Sequence, residues 1–154
     1  MECNLNDLYR LSQGYATDKF SAHGYHHIYG DMFARRQLDE VRLLEVGVDR
    51  GASLQMWQDY FKRGRIFGID AETARLTTTA TVLEADQADA SRIVPFCVEH
   101  GPFDIIIDDA SHIGSKTIAT FNILLPYLAP GGMYCVEDLG GEATHAGMAF
   151  TTLA

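Results

Sequence analysis

Two short stretches of this 154-residue chain concentrate groups able to do chemistry. Residues 107–112 read IDDASH, and residues 135–138 read CVED. Each follows an apolar run of strand character, so each set of acids falls at the carboxyl end of a strand. If those strands are neighbours, Asp109, Glu137 and Asp138 meet at one edge of a crevice. Three carboxylates do not share a partly dry cleft without a cation, and oxygen-only ligands suit Mg²⁺ or Mn²⁺. His112, three residues after Asp109, reaches the same crevice. An imidazole with an unperturbed pKa of about 6.5 suits removal of a proton from a hydroxyl at neutral pH beside such a cation. Asp109 and His112 are therefore the candidate catalytic pair, with Asp109, Glu137 and Asp138 as candidate metal ligands.

The element that must position these groups is residues 42–53, RLLEVGVDRGAS. Leu43, Leu44 and Val46 make a buried parallel strand that runs into a tight turn with two glycines four residues apart. Ser53 then caps a helix carrying Leu54, Trp57 and Phe61 at helical spacing. A glycine at Gly47 lets the backbone approach a ligand, and amides at the helix start can bind a carboxylate. The pattern is E-x-G-x-x-x-G. Val48 occupies the position of the second glycine in a dinucleotide fingerprint, and no lysine follows Gly51 as a P-loop requires. An acid at Glu45, two residues before the first glycine, suits a ligand with an ammonium group, such as the methionine part of S-adenosylmethionine (SAM).

The remaining elements repeat the same logic. A second strand over 65–69 ends at Asp70, about 20 residues beyond the glycine turn, where a Rossmann-type fold holds two ribose hydroxyls. Residues 71–79 read as a weak helix or loop. A third strand over 81–84 is followed by Asp86 and Gln87, a carboxylate and an amide able to hydrogen-bond the exocyclic amine and ring nitrogens of adenine. A helix over 91–100, a fourth strand over 103–108, a helix over 117–128 stopped by Pro130, and a fifth strand over 133–136 complete the series. Asp108, which ends the fourth strand, is counted with the cofactor-binding residues. Alternating strands and helices imply a doubly wound parallel α/β sheet, Rossmann-like, with right-handed crossovers. Residues 1–40 form an N-terminal helical segment, with helices over 4–11 and 25–36, ahead of the main domain at 41–154. Between its helices lies a Tyr- and His-rich stretch, favoured as a lid that brings Tyr15, Thr17, Asp18, Lys19, His23 and His26 to the ligand over an extension docked by its aromatics.

Composition narrows the function. The net charge of −9 disfavours a nucleic-acid partner, since binding phosphates needs a clustered excess of Lys and Arg. No apolar run approaches the roughly 20 residues of a membrane span, and the N-terminus lacks the basic start and apolar stretch of a signal peptide, which together place the chain in the cytoplasm. The three cysteines are widely spaced without a C-x-x-C pair, which suits reduced thiols, with Cys97 and Cys135 buried.

In order along the chain, YATDKF, LLEVGVDRGASLQMWQDYF, GRIFGID, ADQAD, GPFDIIIDDASH and LLPYLAPGGMYCVEDL resemble the class I SAM-dependent methyltransferases. Within them, the resemblance is to the metal-dependent macrolide sugar O-methyltransferases of the mycinamicin and macrocin type. It implies that Glu45, Gly47, Gly51 and Ser53 surround the methionine part, Asp70 the ribose, and Asp86 with Gln87 the adenine. It also implies that Asp109, Glu137, Asp138 and His112 form the metal and base set for methylating a sugar hydroxyl of a glycosylated natural product, in antibiotic biosynthesis, by direct displacement at carbon. A class I domain adds an antiparallel strand pair after the fifth strand. No such pair is read after Asp138, so the fold is expected to be cut short after the fifth strand, its edge covered by a partner chain such as a second copy, by a swapped element, or by sequence missing from this chain. The alternative is a non-catalytic SAM-binding or scaffold protein, separable by whether Asp109→Ala or His112→Ala abolishes turnover.

Overall fold

The computed structural model describes residues 6–17, 19, 24–139 and 149–152, so Cys3, Asp18, His23 and residues 140–148 lie outside the described residues. Six strands form one sheet: β1 (Arg42–Val46), β2 (Arg65–Asp70), β3 (Thr81–Glu84), β4 (Phe103–Asp108), β5 (Leu128–Val136) and β6 (Ala149–Thr152). Their order is β3-β2-β1-β4-β5-β6. The first five strands pair in parallel, and β1, β2 and β4 carry the apolar runs expected where both faces are covered. The strand order reverses between β1 and β4, the point at which open α/β sheets bind ligands beyond their carboxyl ends. β6 pairs antiparallel to β5, with Cys135 opposite Phe150. The sequence reading stops the sheet at the fifth strand, and β6 corrects this: among the described residues one antiparallel strand, not a pair, follows Asp138 and lies along the β5 edge whose cover was expected from a partner chain, a swapped element or missing sequence.

Five α-helices flank the sheet among the described residues: α1 (Asn6–Ser12), α2 (His26–Phe33), α3 (Ala52–Tyr60), α4 (Ala90–His100) and α5 (Gly114–Leu124). Strand pleating sends alternate residues to opposite faces. Leu43, Ile66, Ile105, Ile107 and Cys135 pack with Leu8, Tyr29, Phe33, Leu54 and Trp57 on one side. Leu44, Phe67, Ile69, Ile106 and Tyr134 pack with Ile93, Phe96, Cys97 and Leu124 on the other. Each fully buried large side chain contributes about 1.5–3 kcal/mol. Trp57 is fully buried and meets the rings of Tyr29, Phe33, Tyr60 and Phe61. The N-terminal helices therefore share the first core with the sheet, and α2 is anchored there by Tyr25, Tyr29 and Phe33.

Several boundaries differ from the sequence reading, each for a local reason. α3 begins at Ala52 because Gly51, at φ 84°, is its N-cap, and Ser53 lies inside the first turn without a capping role. α4 begins at Ala90 because Asp89 caps it by accepting from the Ser91 amide at 3.0 Å. α5 starts at Gly114 and ends at Leu124, where Pro126 leaves only a 3₁₀ turn, Leu125–Tyr127. β5 then opens at Leu128 opposite Phe103, breaks register, and resumes at Met133 opposite Ile105. Residues 71–79 form no helix; Thr77 instead binds the Arg50 carbonyl through its amide and hydroxyl, holding the stretch against the glycine turn. Burial pushes the Cys97 and Cys135 thiols up to about 12, which keeps them protonated and unreactive, as expected of reduced core cysteines. Among the described residues no helix is long and apolar enough to cross a membrane.

Candidate active site

The site lies where the parallel ladders run past the strand ends. The Gly47 amide donates to the Ile69 carbonyl at 2.8 Å, Asp109 to Val46 at 2.8 Å, and Glu137 to Asp108 at 2.9 Å. β1, β4 and β5 thus stay in register into the loops, with Glu45 opposite Ile107 and Ile107 opposite Cys135. The pleat sends Glu45 to the face covered by α1, α2 and α3, and the carboxylates of Asp109 and Glu137 converge with it there on one lysine. Asp108 takes the opposite parity and points elsewhere. It is buried, its Oδ2 has no hydrogen-bond partner, and burial pushes its carboxyl up to about 6.

The glycine turn is shaped by backbone crowding. A Cβ on Gly47, at φ 85°, would sit 2.2 Å from the Asp109 carbonyl oxygen and 2.6 Å from the Ala110 Cα. The glycine thus serves the close approach of the β1 and β4 loops, and it also lines the clefts where the sequence suggests an approach to ligand. Asp70 fixes the other side of the turn. Its Oδ2 accepts from the Val48 and Asp49 amides at 2.7 and 3.0 Å, and its Oδ1 from Glu72 at 3.0 Å. Asp49, His112 and Asp138 are the described non-glycine residues with positive φ, at 46°, 55° and 54°. All three line one cleft of about 470 Å³, together with Gly47, Asp70, Asp109 and Glu137. Backbone of this kind costs about 1–3 kcal/mol per residue and clusters at functional sites.

At the head of β4 and β5 the acids divide into two groups. Asp109, His112 and Asp138 each offer a donor atom within 4.8 Å of the others, with His112 Nε2 3.9 Å from both Asp109 Oδ1 and Asp138 Oδ2. Glu137, which lines the same cleft, is engaged from its other side: Oε2 accepts from the Lys19 Nζ at 3.0 Å and Oε1 from the Tyr29 hydroxyl at 2.5 Å. Lys19 also donates to Asp109 Oδ2 and forms an ion pair with Glu45 at 3.0 Å that is not aligned as a hydrogen bond. Burial by itself would lower the Lys19 pKa, but Glu45, Glu137 and Asp109 outweigh it and hold the ammonium well above the ordinary range. Burial raises the carboxyls of Glu45 and Glu137, and Lys19 opposes that rise in both. Tyr25 donates to Asp138 Oδ1 at 2.5 Å.

Of the residues assigned to a lid, Lys19 enters the acid cluster, and Thr17 lines a smaller cleft with Lys19, Gly47, Arg50 and Ser53. Tyr15 instead binds Asp59, and His26 packs between the rings of Tyr9 and His27. On the other side of Gly47, a cleft of about 230 Å³ is lined by Asp70, Asp86, Gln87, Ser111 and Lys116 among others. Here the Gln87 amide is spent within the protein, donating to Thr120 Oγ1 at 2.9 Å and accepting from the Ser111 amide at 3.1 Å. Its side chain holds the cleft wall, while Asp86 stands at the mouth beside Lys116 at 2.5 Å. Sequence reasoning missed Tyr25 and Tyr29. Their spacing of four residues, one helical turn apart and continued by Phe33, was the available signal.

A family described as "Methyltransferase domain" matches residues 44–139. Demethylmacrocin O-methyltransferase of Streptomyces fradiae is 38% identical over 147 residues, covering 86% of this chain and 36% of the relative. The 8-demethyl-8-(2-methoxy-α-L-rhamnosyl)-tetracenomycin-C 3′-O-methyltransferase of Streptomyces olivaceus is 38% identical over 160 residues, covering 90% and 40%. Among solved structures, MycE methyltransferase of the mycinamycin biosynthetic pathway, in complex with Mg, SAH and mycinamycin VI, superposes with a TM-score of 0.80 at 37% identity, covering 86% of this chain and 39% of that one. The chain thus spans well under half the length of the relatives it matches.

Proposed function

The chain belongs to the methyltransferase-domain family, and from that premise we propose that it is the cofactor-binding part of a SAM-dependent O-methyltransferase acting on a sugar hydroxyl of a glycosylated natural product, such as a macrolide. The observation that carries this reading is the meeting of Asp109, His112 and Asp138 in the cleft that also contains Gly47 and Asp70. A base and hard-ligand carboxylates thereby lie beside the place for the methyl donor. Two of the relatives act as O-methyltransferases of glycosylated or macrolide-type compounds, which supports the substrate class.

The residues fit the groups this function needs. Three clefts share Gly47 and run from Asp86 and Ser111, past Asp70, to Thr17, Arg50 and Ser53. In that order they suit adenine, ribose and the methionine end of SAM, with Gln87 in the wall of the first and Ser53 in that of the last. For a divalent cation, Asp109, Glu137 and Asp138 present carboxylates at the strand ends, and the Lys19 ammonium lies among those of Glu45, Asp109 and Glu137. Asp109, Glu137 and Asp138 would hold Mg²⁺ or Mn²⁺, next to His112. When bound, SAM supplies a methyl group on a sulfonium and the cation supplies Lewis acidity toward the acceptor hydroxyl. His112 Nε2, 3.9 Å from carboxylate oxygens of both Asp109 and Asp138, would take the proton of that hydroxyl as its oxygen bonds to the methyl carbon and the carbon–sulfur bond breaks, leaving S-adenosylhomocysteine. Tyr25 fixes the Asp138 carboxylate, and Tyr29 fixes that of Glu137.

The test is methyl transfer from SAM to a panel of glycosylated acceptors with excess Mg²⁺ and after chelation. Turnover that chelation abolishes and Mg²⁺ restores is the expected result. Turnover indifferent to chelation would remove the metal from the mechanism. A chain that binds SAM yet methylates no acceptor would favour the non-catalytic reading.

A further inference from the structure

The arrangement of Lys19 has a consequence for how the acid cluster takes up a cation. Its ammonium is buried, only 2% of the residue being exposed, and it sits between Asp109 Oδ2 and Glu137 Oε2. Those two carboxylates come from the ends of different strands, β4 and β5. The Asp109 oxygen facing Lys19 is turned from His112, and both Glu137 oxygens are engaged, one by Lys19 and one by Tyr29. Glu45, one residue from the end of β1, lies 3.0 Å from the same ammonium and has no aligned hydrogen bond to either oxygen. A cation drawing on both Asp109 and Glu137 meets Lys19 in its way, and Glu45 is an acceptor toward which the ammonium can withdraw.

We propose that Lys19 is a placeholder cation: its ammonium occupies the bay between Asp109 and Glu137, and a divalent cation that draws on both carboxylates enters by displacing it toward Glu45. This rests on the metal-dependent reading above and adds the residue that sets the affinity of the site. The physical reason is charge. Carboxylates brought together at the strand ends repel one another unless a cation lies among them, and the lysine supplies one when the metal is away. The same charge competes with the metal for oxygen ligands and repels it at short range, so metal binding is weaker than the acids alone would give. In the sequence, Lys19 sits within YATDKF, far from the acids it neutralises, and nothing in its spacing reveals the pairing.

The experiment is calorimetric titration of Mn²⁺ into the wild-type chain, Lys19→Met and Lys19→Arg, with thermal melts of each in chelator and in saturating Mn²⁺. Lys19→Met is expected to bind Mn²⁺ at least about tenfold more tightly than wild type, to melt lower in chelator, and to gain more from the metal. Lys19→Arg keeps the charge and is expected to bind no more tightly than wild type. If Lys19→Met is folded only with Mn²⁺ present, unfolding on chelation at a concentration that leaves wild type folded supports the placeholder role. In wild type, the ¹⁵N resonance of the Lys19 ammonium is expected to move as Mg²⁺ saturates the site. Equal or weaker Mn²⁺ binding by folded Lys19→Met, or an unmoved ammonium resonance at saturation, would overturn the proposal and leave the metal site standing. Absence of Mn²⁺ binding by all three proteins would overturn the metal site and the placeholder together.

Discussion

Replacing His112 by asparagine is expected to lower methyl transfer by about 10²–10⁴-fold, the usual worth of a positioned general base, while leaving SAM affinity within about twofold. Asparagine is the informative choice because His112 sits at φ 55°. Asparagine tolerates that left-handed conformation better than alanine, so the loop keeps its path and the change is confined to the lost imidazole. His112→Ala adds backbone strain to the same chemical loss and should melt lower than His112→Asn. Steady-state kinetics with SAM and an acceptor, beside calorimetric SAM binding, separates the two effects. A fall in kcat at constant SAM affinity is the mark of a base. Parallel losses in both would instead make His112 a support of the Asp109–Asp138 loops, to which it lies within 3.9 Å.

Gly47→Ala is expected to disable the cofactor site through the backbone. Holding alanine at a φ of 85° costs about 1–2 kcal/mol. The new methyl would also meet the Asp109 carbonyl at 2.2 Å, and relieving that overlap by backbone shifts costs roughly 1–3 kcal/mol more. For a chain of this size a total of about 3 kcal/mol lowers Tm by about 6–12 °C. The displaced atoms belong to Asp109 and Ala110, which line the cleft, so SAM affinity should fall on the order of tenfold or more. Gly131→Ala is the control. Gly131 has a similar φ of 72°, and a methyl there would meet nothing within 4 Å, so it should show the strain alone and no change in binding. Similar losses in both variants would mean that the close approach of the β1 and β4 loops is unimportant.

What the sequence discloses follows from how each part is stabilised. β1, β2 and β4 read clearly because strands covered on both faces need continuous apolar runs, and RLLEV, RIFGID and FDIIID supply them. The acids at the strand ends read clearly because topology alone brings Asp109 and Asp138 together. The start of β5 was hidden by Pro130, Gly131 and Gly132, which resemble a helix stop, and β6 by its length of four residues. Three site features depend on tertiary packing, and their partners cannot be read from local sequence. Lys19 is recruited across the fold to Glu45, Asp109 and Glu137. The hydroxyls of Tyr25 and Tyr29 reach the acid pair only because α2 packs on the first core face. Gln87 looked free to meet a base, yet the close approach of α5 and the β4 loop engages its amide with Thr120 and Ser111.

The central claim is that this chain binds SAM across the carboxyl ends of β1 and β2, and calorimetric titration with SAM, using Asp70→Ala as control, tests it most directly. Asp70 both orders the turn, through the Val48 and Asp49 amides, and lines two of the clefts proposed for the cofactor. The expected result is saturable one-site binding to the wild-type chain, weakened at least about tenfold in an Asp70→Ala variant whose circular dichroism is unchanged. A folded wild-type chain that takes up no SAM, or an Asp70→Ala variant that binds it equally well, would contradict the claim.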